Sequence, residues 1–162
     1  MVGCMAVPIH TETKSLQRKT TAITINKSYD VLWTKILIAL FSEGCVIKSK
    51  DKTDGNIIAE LNGATLTNYD LKDKTDTISF AIADKRKRVS NNNVVIPRTA
   101  ILQYSIMLIK ENENVTQMII SLENKCTVTS YFENTFIVNR LIPNVQIIST
   151  GLFEKKISDY LK

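Results

Sequence analysis

The chain has 162 residues, 44% of them hydrophobic and 23% charged, with only 5 Gly and 3 Pro. That is the composition of one globular domain, not of a disordered, collagenous or coiled-coil chain. Lys plus Arg number 21 against 16 Asp plus Glu, a net charge of +5, which suits acidic partners and also ordinary solubility; no apolar run approaches the roughly 20 residues of a membrane-spanning helix.

Residues 1–19 read as a flexible tether. Pro8, the polar run Thr11 to Lys14 and basic Arg18 and Lys19 follow an apolar cluster too short for a secretory core. One domain is expected over 20–162. Thr21-Ala22-Ile23-Thr24-Ile25 alternates with period two and predicts a half-buried strand. Ser28 then offers an N-cap, Asp30 lies in a first helical turn, and Gly44 supplies a C-terminal stop. Between them Tyr29, Leu32, Trp33, Ile36, Leu37, Leu40 and Phe41 recur at three- and four-residue spacing, one wide apolar face opposite Asp30, Thr34, Lys35 and Ser42.

Val46 to Lys50 and Asn56 to Leu61 predict two strands joined by a turn at Asp54-Gly55, with Asn62-Gly63 a further turn. Residues 64–76 are polar and ambiguous. Thr77 to Asp84 alternates cleanly, with Ile78, Phe80 and Ile82 expected on the core face. After a polar loop ended by Pro97, Ala100 to Ile109 and Val115 to Lys125 read as longer strands. They present Leu102, Tyr104, Ile106 and Leu108, and Met118, Ile120 and Leu122. Residues 126–148 show no period. A short last helix, capped by Ser149 or Thr150 with Glu154 in its first turn, carries Leu152, Phe153, Ile157, Tyr160 and Leu161 on its apolar face. The expected class is α+β: an antiparallel sheet of about six strands with a long N-terminal and a short C-terminal helix packed on one face.

Catalysis finds little support. His10 is the only histidine and sits in the tether; no G-x-S-x-G, Walker loop or G-x-G-x-x-G occurs. The acids Asp51, Asp54, Asp73, Asp76, Glu111 and Glu113 fall in turns, where solvation explains them. No cofactor and no metal site is expected, because the three cysteines form no CxxC pair. Cys45 and Cys126 read as small buried apolar residues. The run Lys85-Arg86-Lys87-Arg88 is the strongest local charge, a solvated loop that could meet an anionic partner. Trp33, Ile36 and Tyr104 could line an apolar pocket between helix and sheet.

Met1-Val2-Gly3-Cys4 resembles the end of a bacterial lipoprotein signal, in which Cys becomes the lipidated first residue; Met1 then stands where a signal peptide belongs. Farther on come Ser28 to Trp33, Ser42-Glu43-Gly44-Cys45-Val46-Ile47, and a hairpin with Asp51 and Gly55. These residues resemble the opening of small bacterial envelope lipoprotein domains of the BamC type. The resemblance covers about a quarter of the chain, implies a binding or assembly role without catalysis, and transfers no site residue. The expected protein is a non-enzymatic lipoprotein of the bacterial cell envelope. It faces the periplasm, is held to the membrane through Cys4, and contacts other envelope proteins. A module for a lipid or other apolar ligand, and a basic nucleic-acid-binding domain, are the alternatives; nucleic acid is not the expected partner.

Overall fold

Period-two apolar strands and two apolar-faced helices are what the computed structural model of the chain contains. It describes residues 9–12, 21–68, 79–83, 88–90, 93–123, 125–133 and 147–162. In chain order these form β1 (Ile9–Glu12), β2 (Thr21–Ile25), α1 (Tyr29–Ser42), β3 (Cys45–Asp51), β4 (Asn56–Asn68) and β5 (Ala81–Ala83). Then come β6 (Arg88–Ser90), β7 (Asn93–Lys110), β8 (Thr116–Leu122), β9 (Lys125–Glu133), β10 (Ile147–Ser149) and α2 (Leu152–Leu161).

The main path of the sheet has six strands in the order β1-β9-β7-β4-β5-β10, with β3 added to β4, β6 and β8 to β7, and β2 to β8. Every pair is antiparallel except the short β4–β5 pair. The two long strands β4 and β7 form a central ribbon. Along its outer edges the shorter strands lie end to end, β8 and β9 beside β7, β3 and β5 beside β4. The fold is therefore α+β, with both helices on one sheet face. On that face Ile57, Ala59 and Leu61, the even-numbered residues from Ala100 to Leu108, and Met118, Ile120 and Leu122 are buried. Leu32, Trp33, Ile36, Ala39 and Leu40 of α1, and Phe153, Ile157 and Leu161 of α2, cover them. The helices run antiparallel. Lys27, just before α1, donates through Nζ to the Leu161 carbonyl at the end of α2, and Glu43, just after α1, pairs with Lys156 at 2.8 Å.

Several expectations change. Within the 1–19 segment read as a tether, Ile9–Glu12 form β1 and pair with Lys125–Val128 of β9, because that edge strand offers an extended backbone to join. Asn62-Gly63 does not turn the chain. Gly63 takes φ +66° at a register shift between Leu61 and Ala64, and β4 runs on to Asn68. Pro97 likewise lies inside β7, at a register shift. At the start of β5 the buried residues are Ser79 and Ala81, on the face opposite the one predicted, while Phe80 still packs against the core from its edge. Phe80 is half-buried, edge-on to Phe153 and under the Lys156 ammonium. Phe41, expected in the core, is 82% exposed, and Tyr160 is 51% exposed. Gly151, not Ser149 or Thr150, is the N-cap of α2, though both hydroxyls accept backbone N–H bonds there. Ser28 caps α1 through its backbone alone.

Candidate functional site

Among the described residues the buried polar side chains other than Thr116 of β8 gather where α2 begins. β10 ends at Ser149, and the left-handed Gly151 (φ +85°) turns the chain into α2, placing Glu154 over the sheet. The Ser149 hydroxyl donates to Glu154 Oε1 at 2.6 Å and accepts from the Gly151 N–H at 3.1 Å. Thr150 Oγ1 donates to the Ser79 carbonyl at 2.8 Å, which ties the turn to the segment before β5. Beneath them Tyr104 lies flat, its ring stacked on Phe153 at 3.9 Å between centroids. Glu154 is 1% exposed and Tyr104 0%. Among the described residues the Tyr104 hydroxyl, which lies near the Ser149 hydroxyl, and Glu154 Oε2 make no hydrogen bond within 3.5 Å. Burial, and then the nearby Glu154 carboxylate, raise the Tyr104 phenol well above its ordinary value. The sequence marks the members separately, Tyr104 on a core-facing strand, Ser149 as a candidate helix cap and Glu154 in the first turn of the last helix, with no sign that the fold joins them.

A second assembly joins the start of α1 to the β3–β4 turn. The Asp51 carboxylate accepts from the Thr53 and Asp54 N–H groups at 2.8 and 3.1 Å, an Asx turn. The Tyr29 hydroxyl donates to the Lys52 carbonyl, and Lys52 Nζ meets Asp30 at 2.7 Å. That lysine holds the Asp30 carboxyl below its ordinary value. Gly55 ends the turn against β7, with the Leu108 N–H donating to its carbonyl at 2.8 Å.

Of the residues singled out in the sequence, Trp33, Ile36 and Tyr104 all reach the layer between helices and sheet and are buried. They are held separately: Trp33 stacks with Tyr29 at 6.2 Å, whereas Tyr104 stacks under α2. Cys4, Lys85, Arg86 and Lys87 lie outside the described residues, as does the side chain of Arg88, the first residue of β6. Cys45 and Cys126 are buried thiols outside any disulfide, Cys126 Sγ donating to the Glu123 carbonyl at 3.4 Å, and burial pushes them up to about 12 and about 11. The strands β4 and β7 separate them, about 14 Å at ordinary strand spacing, beyond disulfide reach. Among the described residues no His, Cys, Asp or Glu group converges as a metal site would, and no helix is long and apolar enough to cross a membrane.

The far face of the sheet carries no helix among the described residues. Val46, Met107 and Ile109 are exposed there. The Lys48–Glu60 pair at 3.6 Å lies alongside, as do half-buried Gln103, Ser105, Gln117 and Ser121.

No family model matches the chain, and no curated protein matches it. The chain is similar to a solved structure described as a conserved protein from Geobacillus kaustophilus, at 14% identity and a TM-score of 0.33. That similarity covers 89% of this chain and 94% of that one.

Proposed function

We propose that the chain is a non-catalytic binding or assembly module of the bacterial cell envelope, tethered through Cys4 and working by protein–protein contact. The observation that carries this reading is the far face of the sheet. It mixes exposed Val46, Met107 and Ile109 with amides, hydroxyls and one ion pair, the balance of a non-obligate protein interface. In contrast, apart from the Tyr104 hydroxyl and Glu154 Oε2, the acids and hydroxyls described above are engaged in turns and caps. Expression of the full-length protein with its native leader tests the tether. Lipid label should appear on wild type and vanish with Cys4→Ala, which moves to the soluble fraction; unlabelled, soluble wild type overturns the tether. The double variant Met107→Glu, Ile109→Glu tests the face. It should fold as wild type yet lose the cross-links to envelope proteins that a photoreactive residue at position 119 captures.

A second reading is a module for a small apolar ligand with one polar end. It is favoured by the two buried polar atoms of Tyr104 and Glu154 that lack hydrogen bonds among the described residues, since a ligand could satisfy both. Tyr104→Phe should then weaken ligand uptake while leaving the fold intact.

A further inference from the structure

A helix lying on a sheet needs one apolar side, and α1 has two. Its inner side supplies Leu32, Trp33, Ile36, Ala39 and Leu40 to the core. Its outer side exposes Val31, Ile38 and Phe41, which with Thr34 fall on one stripe along the helix. Beside it, α2 turns Tyr160 outward. These side chains stand outward from a helix whose inner side is already packed, so a protein partner would have to bring a groove cut to fit them, whereas a bilayer accepts any apolar stripe.

Charge selects the kind of bilayer. Of the acids around the two helices, Asp30 is held by Lys52, Glu43 by Lys156 and Asp159 by Lys162, and the buried Glu154 accepts from the Ser149 hydroxyl. Lys35 and Lys155 have no ion-pair partner among the described residues, and the whole chain carries +5. With those three ion pairs set aside, Lys27, Lys35 and Lys155 outnumber Glu154, so the charge left over on the helical layer is positive.

We propose that this layer is a docking surface for an anionic lipid bilayer. α1 lies in the plane of the interface, with Ile38 and Phe41 entering the acyl boundary and Tyr160 at headgroup level. Lys35 and Lys155 extend along their stems to lipid phosphates. The inference goes beyond a tether at Cys4, which would hold the protein near a membrane without orienting it.

The test uses the whole chain with Cys4→Ala, which removes any lipid anchor and makes the two outcomes separable. It is sedimented with vesicles of phosphatidylcholine, alone or mixed equally with phosphatidylglycerol. Binding should appear with the anionic vesicles only and weaken as salt is raised. Phe41→Ser should reduce binding about tenfold, and Lys35→Gln and Lys155→Gln about fivefold each. Orientation is read from an environment-sensitive dye on Phe41→Cys, compared with the same dye on Thr24→Cys at the far side of the sheet. Only the dye at position 41 should shift to the blue with anionic vesicles, and this holds even if Phe41→Ser folds poorly. Equal binding to neutral vesicles, equal dye shifts at both positions, or wild-type binding by Phe41→Ser overturns the proposal. A dimer that Phe41→Ser converts to monomer, without vesicle binding, also overturns it, because a second copy would then cover the stripe.

Discussion

A methyl group on Gly55 would stand 2.2 Å from the Leu108 carbonyl oxygen, and the residue already sits at φ +72°. Gly63 has a similar φ, +66°, with open space where its Cβ would be. The pair separates two effects of glycine. Gly63→Ala should cost about 1–2 kcal/mol, the left-handed penalty alone. Gly55→Ala should cost about 3 kcal/mol or more, because strain and overlap add. Urea unfolding midpoints of the two variants check the order, and equal losses would mean the Leu108 carbonyl yields freely. Tyr104 gives the opposite kind of test. Its hydroxyl is buried without a hydrogen bond among the described residues, so Tyr104→Phe should be neutral or stabilising. Tyr104→Ala should cost about 3–5 kcal/mol through the lost stack on Phe153 and the cavity left behind. A loss above about 1 kcal/mol for Tyr104→Phe would reveal a hydrogen bond made in solution. Single residues were also where the sequence misled most. Phe41 and Tyr160 fit an apolar period and yet face outward, since a period fixes a stripe but not how much of it a neighbour covers.

Elements whose signals are local were the legible ones. Helix α1 stands where Tyr29 to Phe41 predicted it, and Asp54-Gly55 makes the hairpin, because caps, periods and turn residues act over a few neighbours. Strand lengths were not legible. Gly63 and Pro97 look like stops along the chain, but the partner strand absorbs each as a register shift, information that sits far away in sequence. The face of the Phe80 segment was hidden for the same reason, since Phe153 and Lys156, which pack on Phe80, lie more than seventy residues onward. The polar cluster of Tyr104, Ser149 and Glu154 was illegible because it joins three elements that only the fold brings together. Helix α1 itself yields a direct prediction. Trp33 is 7% exposed and stacked with Tyr29, so Trp33→Ala should cost about 3–5 kcal/mol, read by chemical denaturation. A change below about 1 kcal/mol would mean that the indole contributes nothing to the core.

For the whole molecule, the buried thiols and phenol set an alkaline limit. In the unfolded chain the two thiols release protons near pH 9.0 and Tyr104 near 10.0; in the folded chain burial raises all three. Above pH 9.0 the native state therefore binds more protons than the unfolded one. The stability they contribute is complete below that pH and falls as pH rises, by about 1.4 kcal/mol per pH unit for each such group. Unfolding midpoints measured on either side of pH 9.0 should show this decline, and Cys45→Ala with Cys126→Ala should lessen its slope. In the neutral range both thiols should resist alkylation until the protein unfolds.

The Lys27 ammonium that reaches the last carbonyls of α2 joins residues more than 130 positions apart, and this bears on synthesis. Early elements emerge from the ribosome long before the helix that completes their cover. Until Leu152 to Leu161 arrive, Tyr104 lacks the Phe153 ring, and the neighbouring apolar sheet surface stays open to whatever else is in reach. A nascent chain of this kind is most vulnerable to misassociation in the interval before the ten-residue α2 docks.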